Sequence, residues 1–213
     1  MPSYTSTVSG DCVFYAIPDA HTCAEAKRFA QTMGNYPMYT VQIPYIPLYI
    51  ATFNKAPIDI IIQILQDLES ILVGNFLRMD DIDSTYAYGS YALIWKTRYD
   101  ISNYMQEHLY RAHMKCLSGL AKYIDTSWHA ALITQTKTRT PLPSKDEMSN
   151  IIDFGMGDAR GLYRPHILLT RGNLFHNYKL PNKKISRNGD ITHVGFAHAI
   201  HEVELGRVIS VRP

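Results

Sequence analysis

The chain has 213 residues, 46% hydrophobic and 19% charged, with a net charge of +2 when its nine histidines are neutral. That is enough apolar material for a proper core and too little charge for a disordered chain, and it supplies no global basic field to hold a long duplex. Three cysteines without CxxC spacing argue against a disulfide framework and a zinc site, so a reducing, cytoplasmic setting is expected.

Taken in order, "CVFYAIP" (Cys12 to Pro18) is β-branched and aromatic and stops at a proline, which predicts a strand. "HTCAEAKRFAQTMGN" follows with helix formers and ends at Gly34-Asn35. "YPMYTVQIPYIPLYIATFN" holds prolines at 37, 44 and 47 and predicts two short extended segments at or near a sheet edge. In "APIDIIIQILQDLESIL" apolar residues recur at Ile61, Ile64, Leu65, Leu68, Ile71 and Leu72, the spacing of one helix face laid on a sheet. The run is broken by Asp59, Gln63, Gln66, Asp67 and Glu69, and neither it nor the N-terminal stretch reads as a membrane span or signal peptide.

The order then repeats. "NFLRMDDIDSTYAYGSYALIWKTR" predicts two strands, the later one Ser90 to Thr97, and "DISNYMQEHLYRAHMKCLSGLAKYI" a long helix capped by Asp100 or Ser102. Residues 126–160 stay helical for a while, break at Pro141-Leu142-Pro143 and restart at Ser144, where Glu147 completes a capping box. This stretch reads as a helical insertion. A strand from Pro165 to Thr170 follows, then the polar turn-rich "LPNKKISRNGD", then a closing strand pair joined at Gly206. The expectation is an α+β fold with one domain over residues 1–213, built from two strand-helix-strand halves.

On a strand, residues at i, i+2 and i+4 share a face, so "YRPHILLTRG" sets His166, Leu168 and Thr170 on one side, with Arg164 before them and Arg171 at the end. Histidine moves a proton near neutral pH, and arginine offers a planar fork to phosphate oxygens. His193 and His201 fall on one face of the penultimate strand with Gly195, Ala197 and Ala199 between them, which leaves room for a ligand, while His198 faces the other side. His108 and His113 are five apart on a helix and do not share a face, so no metal site is expected; His129 follows what reads as helix. Tyrosines cluster in the segments that would line a cleft, Tyr163 among them, and one or two are expected to touch ligand.

"YRPHILLTRG" resembles the second signature of the two-histidine phosphoesterase superfamily, which contains the bacterial 2′-5′ RNA ligase-like proteins and the cyclic nucleotide phosphodiesterases. "GFAHAIHEVELGRVISV" is similar to that family's last two strands. The resemblance implies two pseudo-symmetric lobes, a mostly antiparallel sheet around a central cleft, and helices outside. Each lobe would give one histidine and one hydroxyl, the histidines as acid and base and the hydroxyls on phosphate. Against that pattern "PLYIATFN" puts Tyr49 in the histidine place and Ala51 in the threonine place, and Leu168 replaces the second hydroxyl. Tyr49 and His166 are the implied catalytic pair, and Thr170, Arg164 and Arg171 the implied phosphate ligands.

The leading expectation is a phosphodiesterase-like hydrolase that opens a 2′,3′-cyclic phosphate on an RNA end or small nucleotide, without cofactor. The alternative is a catalytically degenerate protein on the same scaffold that binds such an end. A third reading makes the insertion a docking site for a protein partner.

Overall fold

The computed structural model describes residues 6–32, 39–40, 43–87, 90–98, 107–138, 142–172, 186–201 and 204–209. Within these, β1 (Thr7–Pro18), α1 (Ala20–Thr32), β2 (Tyr39–Thr40), β3 (Ile46–Pro57) and α2 (Ile58–Leu72) make up the first half. The second half has β4 (Phe76–Ala87), β5 (Ser90–Thr97), α3 (Glu107–Leu120), α4 (Thr126–Lys137), α5 (Lys145–Phe154), β6 (His166–Gly172), β7 (Arg187–His201) and β8 (Glu204–Ile209). The fold is α+β. One sheet runs in the order β2-β6-β5-β4-β7-β1-β3, with β8 also on β7, and every pairing is antiparallel.

The proline-rich segment splits between the two ends of this order. β2 closes one end and β3 the other, consistent with prolines being tolerated where no further ladder is needed. The outer side of β3 is not left bare: Phe53 forms an isolated bridge with Ile124, and the Asp125 amide donates to Thr52 O at 2.8 Å. Covering the edge in this way blocks pairing with another chain.

One face of the sheet carries the main core. Phe14, Ala51, Phe53, Leu93, Trp95 and Ile167 pack there against Ala26, Phe29 and Ala30 of α1, the predicted face of α2, and Leu109, Ala112, Cys116, Leu117 and Leu120 of α3. The Phe29 and Trp95 rings meet edge to face, with centroids 5.0 Å apart. α1 starts on Asp19, whose carboxylate accepts from the His21 and Thr22 amides, from the Thr22 hydroxyl and from the Asp190 amide. One side chain thus caps a helix and ties it to β7.

A smaller cluster lies on the opposite face: Val13, Tyr15, Tyr45 and Ala197, with Ile17, Ile50 and Leu168 packed against it. Leu168 belongs to β6, four strands from β1 in the sheet order, which a flat sheet would put about 19 Å away. Leu168 reaches this cluster because the sheet curls toward it. The helix-free face is therefore the inner, concave one.

The stretch 126–160 contains α4, α5 and the first residue of a 3-10 turn, Arg160–Leu162. Ser144 Oγ accepts from the Glu147 amide at 3.1 Å, as the capping box requires, and α5 ends on Gly155 at φ 66°. Several boundaries differ from expectation: β1 begins at Thr7 instead of Cys12, and β3 runs 12 residues where a short segment was expected. Arg187 to Asp190 open β7 and pair with β4 instead of lying in a turn, and Gly206 sits inside β8. Asp100 and Ser102 lie outside the described residues.

Candidate functional site

The inner face is built by alternation. On β1, Val13 and Tyr15 point inward while Cys12, Phe14 and Ala16 join the helix-side core. On β7, Gly195 and Ala197 are paired with Tyr15 and Val13, and His193 with Ile17, so the three β7 residues share the inner face. Gly195 is required there, because a Cβ in its place would run into the Tyr15 ring. The Tyr15 ring meets Tyr45 edge to face at 5.8 Å, and both rings are buried beneath the face.

His166 comes to this face from β6. Ile167 and Leu169 are in the helix-side core and Leu168 is in the inner cluster, so His166, two residues before Leu168, points inward beside its register partner Lys96. It is half-buried, and its Nδ1 lies 2.8 Å from Arg164 O. A carbonyl only accepts, so Nδ1 carries the proton, which makes Nε2 the basic nitrogen of the neutral ring. Lys96 makes an ion pair with Asp83 at 3.0 Å.

Thr170 does not stay with His166. The register shifts between Leu93/Thr170 and Ile94/Leu168, leaving Leu169 as an extra residue. The bulge resets the alternation, and Thr170 pairs with Leu93 of the helix-side core and is 1% exposed. The expected convergence of His166, Leu168 and Thr170 is corrected to His166 and Leu168 alone. Arg164 is exposed, and its Nη1 donates to Gly161 O and Tyr163 O at 2.8 and 2.9 Å, anchoring the guanidinium to its own loop. The side chains of Arg171 and His201 lie outside those described, as do residues 173–185, which include the first six of the turn-rich stretch.

Tyr49 is on the wrong face for a ligand. It is fully buried among the helix-side residues, its hydroxyl donates to Phe154 O at 2.8 Å, and burial raises its phenol well above the ordinary range. Strand β3 has its own bulge, between Phe14/Tyr49 and Tyr15/Pro47. Ile50 and Thr52, each one residue later than Tyr49 and Ala51, are therefore the β3 residues that face inward, paired with Val13 and Asp11. A one-residue slip exchanges the two faces of a strand. The Thr52 hydroxyl donates to the carboxylate of its cross-strand partner Asp11.

Tyr163 is likewise structural. It is buried, its hydroxyl donates to Pro47 O at 2.9 Å, and burial, with the nearby Asp158 carboxyl, raises its phenol. His193 is exposed, with Nδ1 3.1 Å from the Thr192 hydroxyl. His129 sits on α4 with Nε2 against Ile151 O, within the insertion.

The inner face thus offers one histidine from β6 and one threonine from β3 around an apolar floor, with Asp11, Asp83, Lys96 and His193 on the same face. Among the described residues no group of three or more His, Cys, Asp or Glu is arranged to hold a metal, and no helix is long and apolar enough to cross a membrane. No family model and no curated protein matches the chain.

Proposed function

We propose that the inner face binds the phosphate-bearing end of an RNA, or a small nucleotide, on a scaffold of the two-histidine phosphoesterase type whose catalytic set is incomplete. In this reading β7-β1-β3 and β4-β5-β6 are the two pseudo-symmetric lobes, meeting where β4 pairs with β7. The observation that carries it is the pair of inner-face positions on β3 and β6. Ile50 and Thr52 answer to one motif and His166 and Leu168 to the other, so each lobe keeps one polar member and has an aliphatic residue for the second. A base laid over the half-buried Ile50 and Leu168, with its phosphate toward Thr52 and His166, matches that distribution.

Turnover by His166 is the second reading. It is favoured by the tautomer fixed through Arg164 O, which makes Nε2 the proton acceptor. The experiment is a comparison of the parent with His166→Ala on 2′,3′-cyclic nucleotides and cyclic-phosphate-ended RNA oligomers. Binding without turnover, weakened by the substitution, supports the first reading. Turnover lost on substitution supports the second, and neither binding nor turnover by the parent rejects both.

A further inference from the structure

The insertion has an open groove on its outer side, of about 500 Å³, lined by Lys137, Leu142, Pro143, Ser144, Lys145, Met148, Ser149 and Ile152. Its construction follows from α5. Ile151 and Asn150 are buried on the inward side, with Asn150 Nδ2 donating to Gly157 O and Ala159 O at 3.2 and 2.7 Å, which fixes the helix and the loop after it. Lys145, Met148, Ser149 and Ile152, at i, i+3, i+4 and i+7, form a second stripe facing away from the protein. Large aliphatic side chains are normally buried, yet Ile152 of this stripe is 50% exposed and Leu142, across the groove, 74%.

The floor of the groove is aliphatic, with a methionine that adapts its shape to what lies on it. Both charged residues in the lining are lysines, one at the C-terminal end of α4 and one at the start of α5. Neither forms a salt bridge within the described residues. Two turns of exposed helix edge, about 10 Å long, beside a Leu-Pro wall match the footprint of a second helix presenting residues at the same spacing.

We propose that this groove docks an amphipathic helix of a partner protein, with an apolar stripe seated on Leu142, Met148 and Ile152 and acidic side chains toward Lys137 and Lys145. A second helix supplies the apolar stripe at matching spacing, and the two lysines select its charge. The site is independent of the inner face and of what binds there.

The test uses the whole protein and a fluorescein-labelled 16-residue helical peptide with leucines at i, i+3, i+4 and i+7 and glutamates elsewhere, read by fluorescence anisotropy. Saturable binding is expected, weakened tenfold or more by the double substitution Lys137→Glu and Lys145→Glu. That variant is also expected to bind the matched peptide carrying lysines for glutamates. Leu142→Ser, at an exposed position, should weaken the acidic peptide while leaving the melting temperature unchanged. Absence of saturable binding, or binding that ignores both the charge reversal and Leu142→Ser, overturns the proposal. Flotation with phosphatidylserine vesicles through the same lysines, without peptide binding, would likewise overturn it and make the groove a membrane-facing surface.

Discussion

The imidazole of His113 lies flat on the ring of Tyr163, with centroids 4.0 Å apart and planes 3° from parallel. His113 Nδ1 donates to Leu48 O at 2.6 Å and Nε2 accepts from the Arg160 amide at 3.1 Å, while Tyr163 donates to Pro47 O. One buried pair therefore clips α3 to the bulge of β3 and to the segment leading into β6. Arg160 is held at φ 51°, a left-handed conformation that costs a non-glycine residue about 1 kcal/mol or more, with its guanidinium 4.3 Å from the Phe154 ring. The register that faces Ile50 and Thr52 inward begins at this clip.

The bond that His113 Nε2 accepts from the Arg160 amide requires the neutral ring, and burial lowers its pKa to about 4, the bond that Nδ1 donates to Leu48 O partly opposing the fall. The unfolded chain binds a proton near pH 6.5 that the folded chain refuses, so stability falls as pH drops from about 6.5 to about 4 and levels off below. The full effect is roughly 3 kcal/mol. Urea midpoints across that range should fall with pH in the parent and fall less in His113→Phe, which will itself be less stable at pH 7.

Tyr49→Phe leaves Phe154 O without its buried donor and should cost about 1–3 kcal/mol in a denaturation experiment. Affinity for a cyclic-phosphate-ended oligomer should not change, because the hydroxyl is on the helix side.

Gly195→Ala forces a methyl into the Tyr15 ring and should destabilise the protein by about 1–3 kcal/mol, with a near-ultraviolet circular dichroism change from the displaced tyrosine.

If Ile50 and Leu168 stand in the places of the missing histidine and hydroxyl, then Ile50→His with Leu168→Thr should create or raise turnover of 2′,3′-cyclic nucleotides. A gain on the order of 10²-fold is expected from a second positioned acid-base group. The same exchange at Tyr49 and Ala51 should give no activity and an unstable protein.

The elements with a single hydrophobic stripe were legible in the sequence. α2 shows its apolar face at three- and four-residue spacing and buries Ile61, Ile64, Leu65, Leu68 and Leu72, and the Ser144 cap with Glu147 announced the start of α5. The site residues were legible only where alternation was unbroken, as at His166, Ile167 and Leu168. "IPLYIATF" is apolar at almost every position, so its period could not say whether Tyr49 or Ile50 faces inward. Bulges at Leu48 and Leu169 then moved Tyr49 and Thr170 to the other face. No residue type marks either bulge; each is set by partners distant in sequence, His113 and Tyr163 for the first and the β5 register for the second.

The central claim is that His166, and not the residues first aligned with it, holds the ligand's phosphate on the inner face. Calorimetric titration of an RNA oligomer ending in a 2′,3′-cyclic phosphate into the parent, His166→Ala and Tyr49→Phe measures this directly. The account predicts binding by the parent, a loss of tenfold or more in His166→Ala, and an affinity within twofold of the parent in Tyr49→Phe. Equal affinity in the parent and His166→Ala, or no binding by a folded parent, would contradict it.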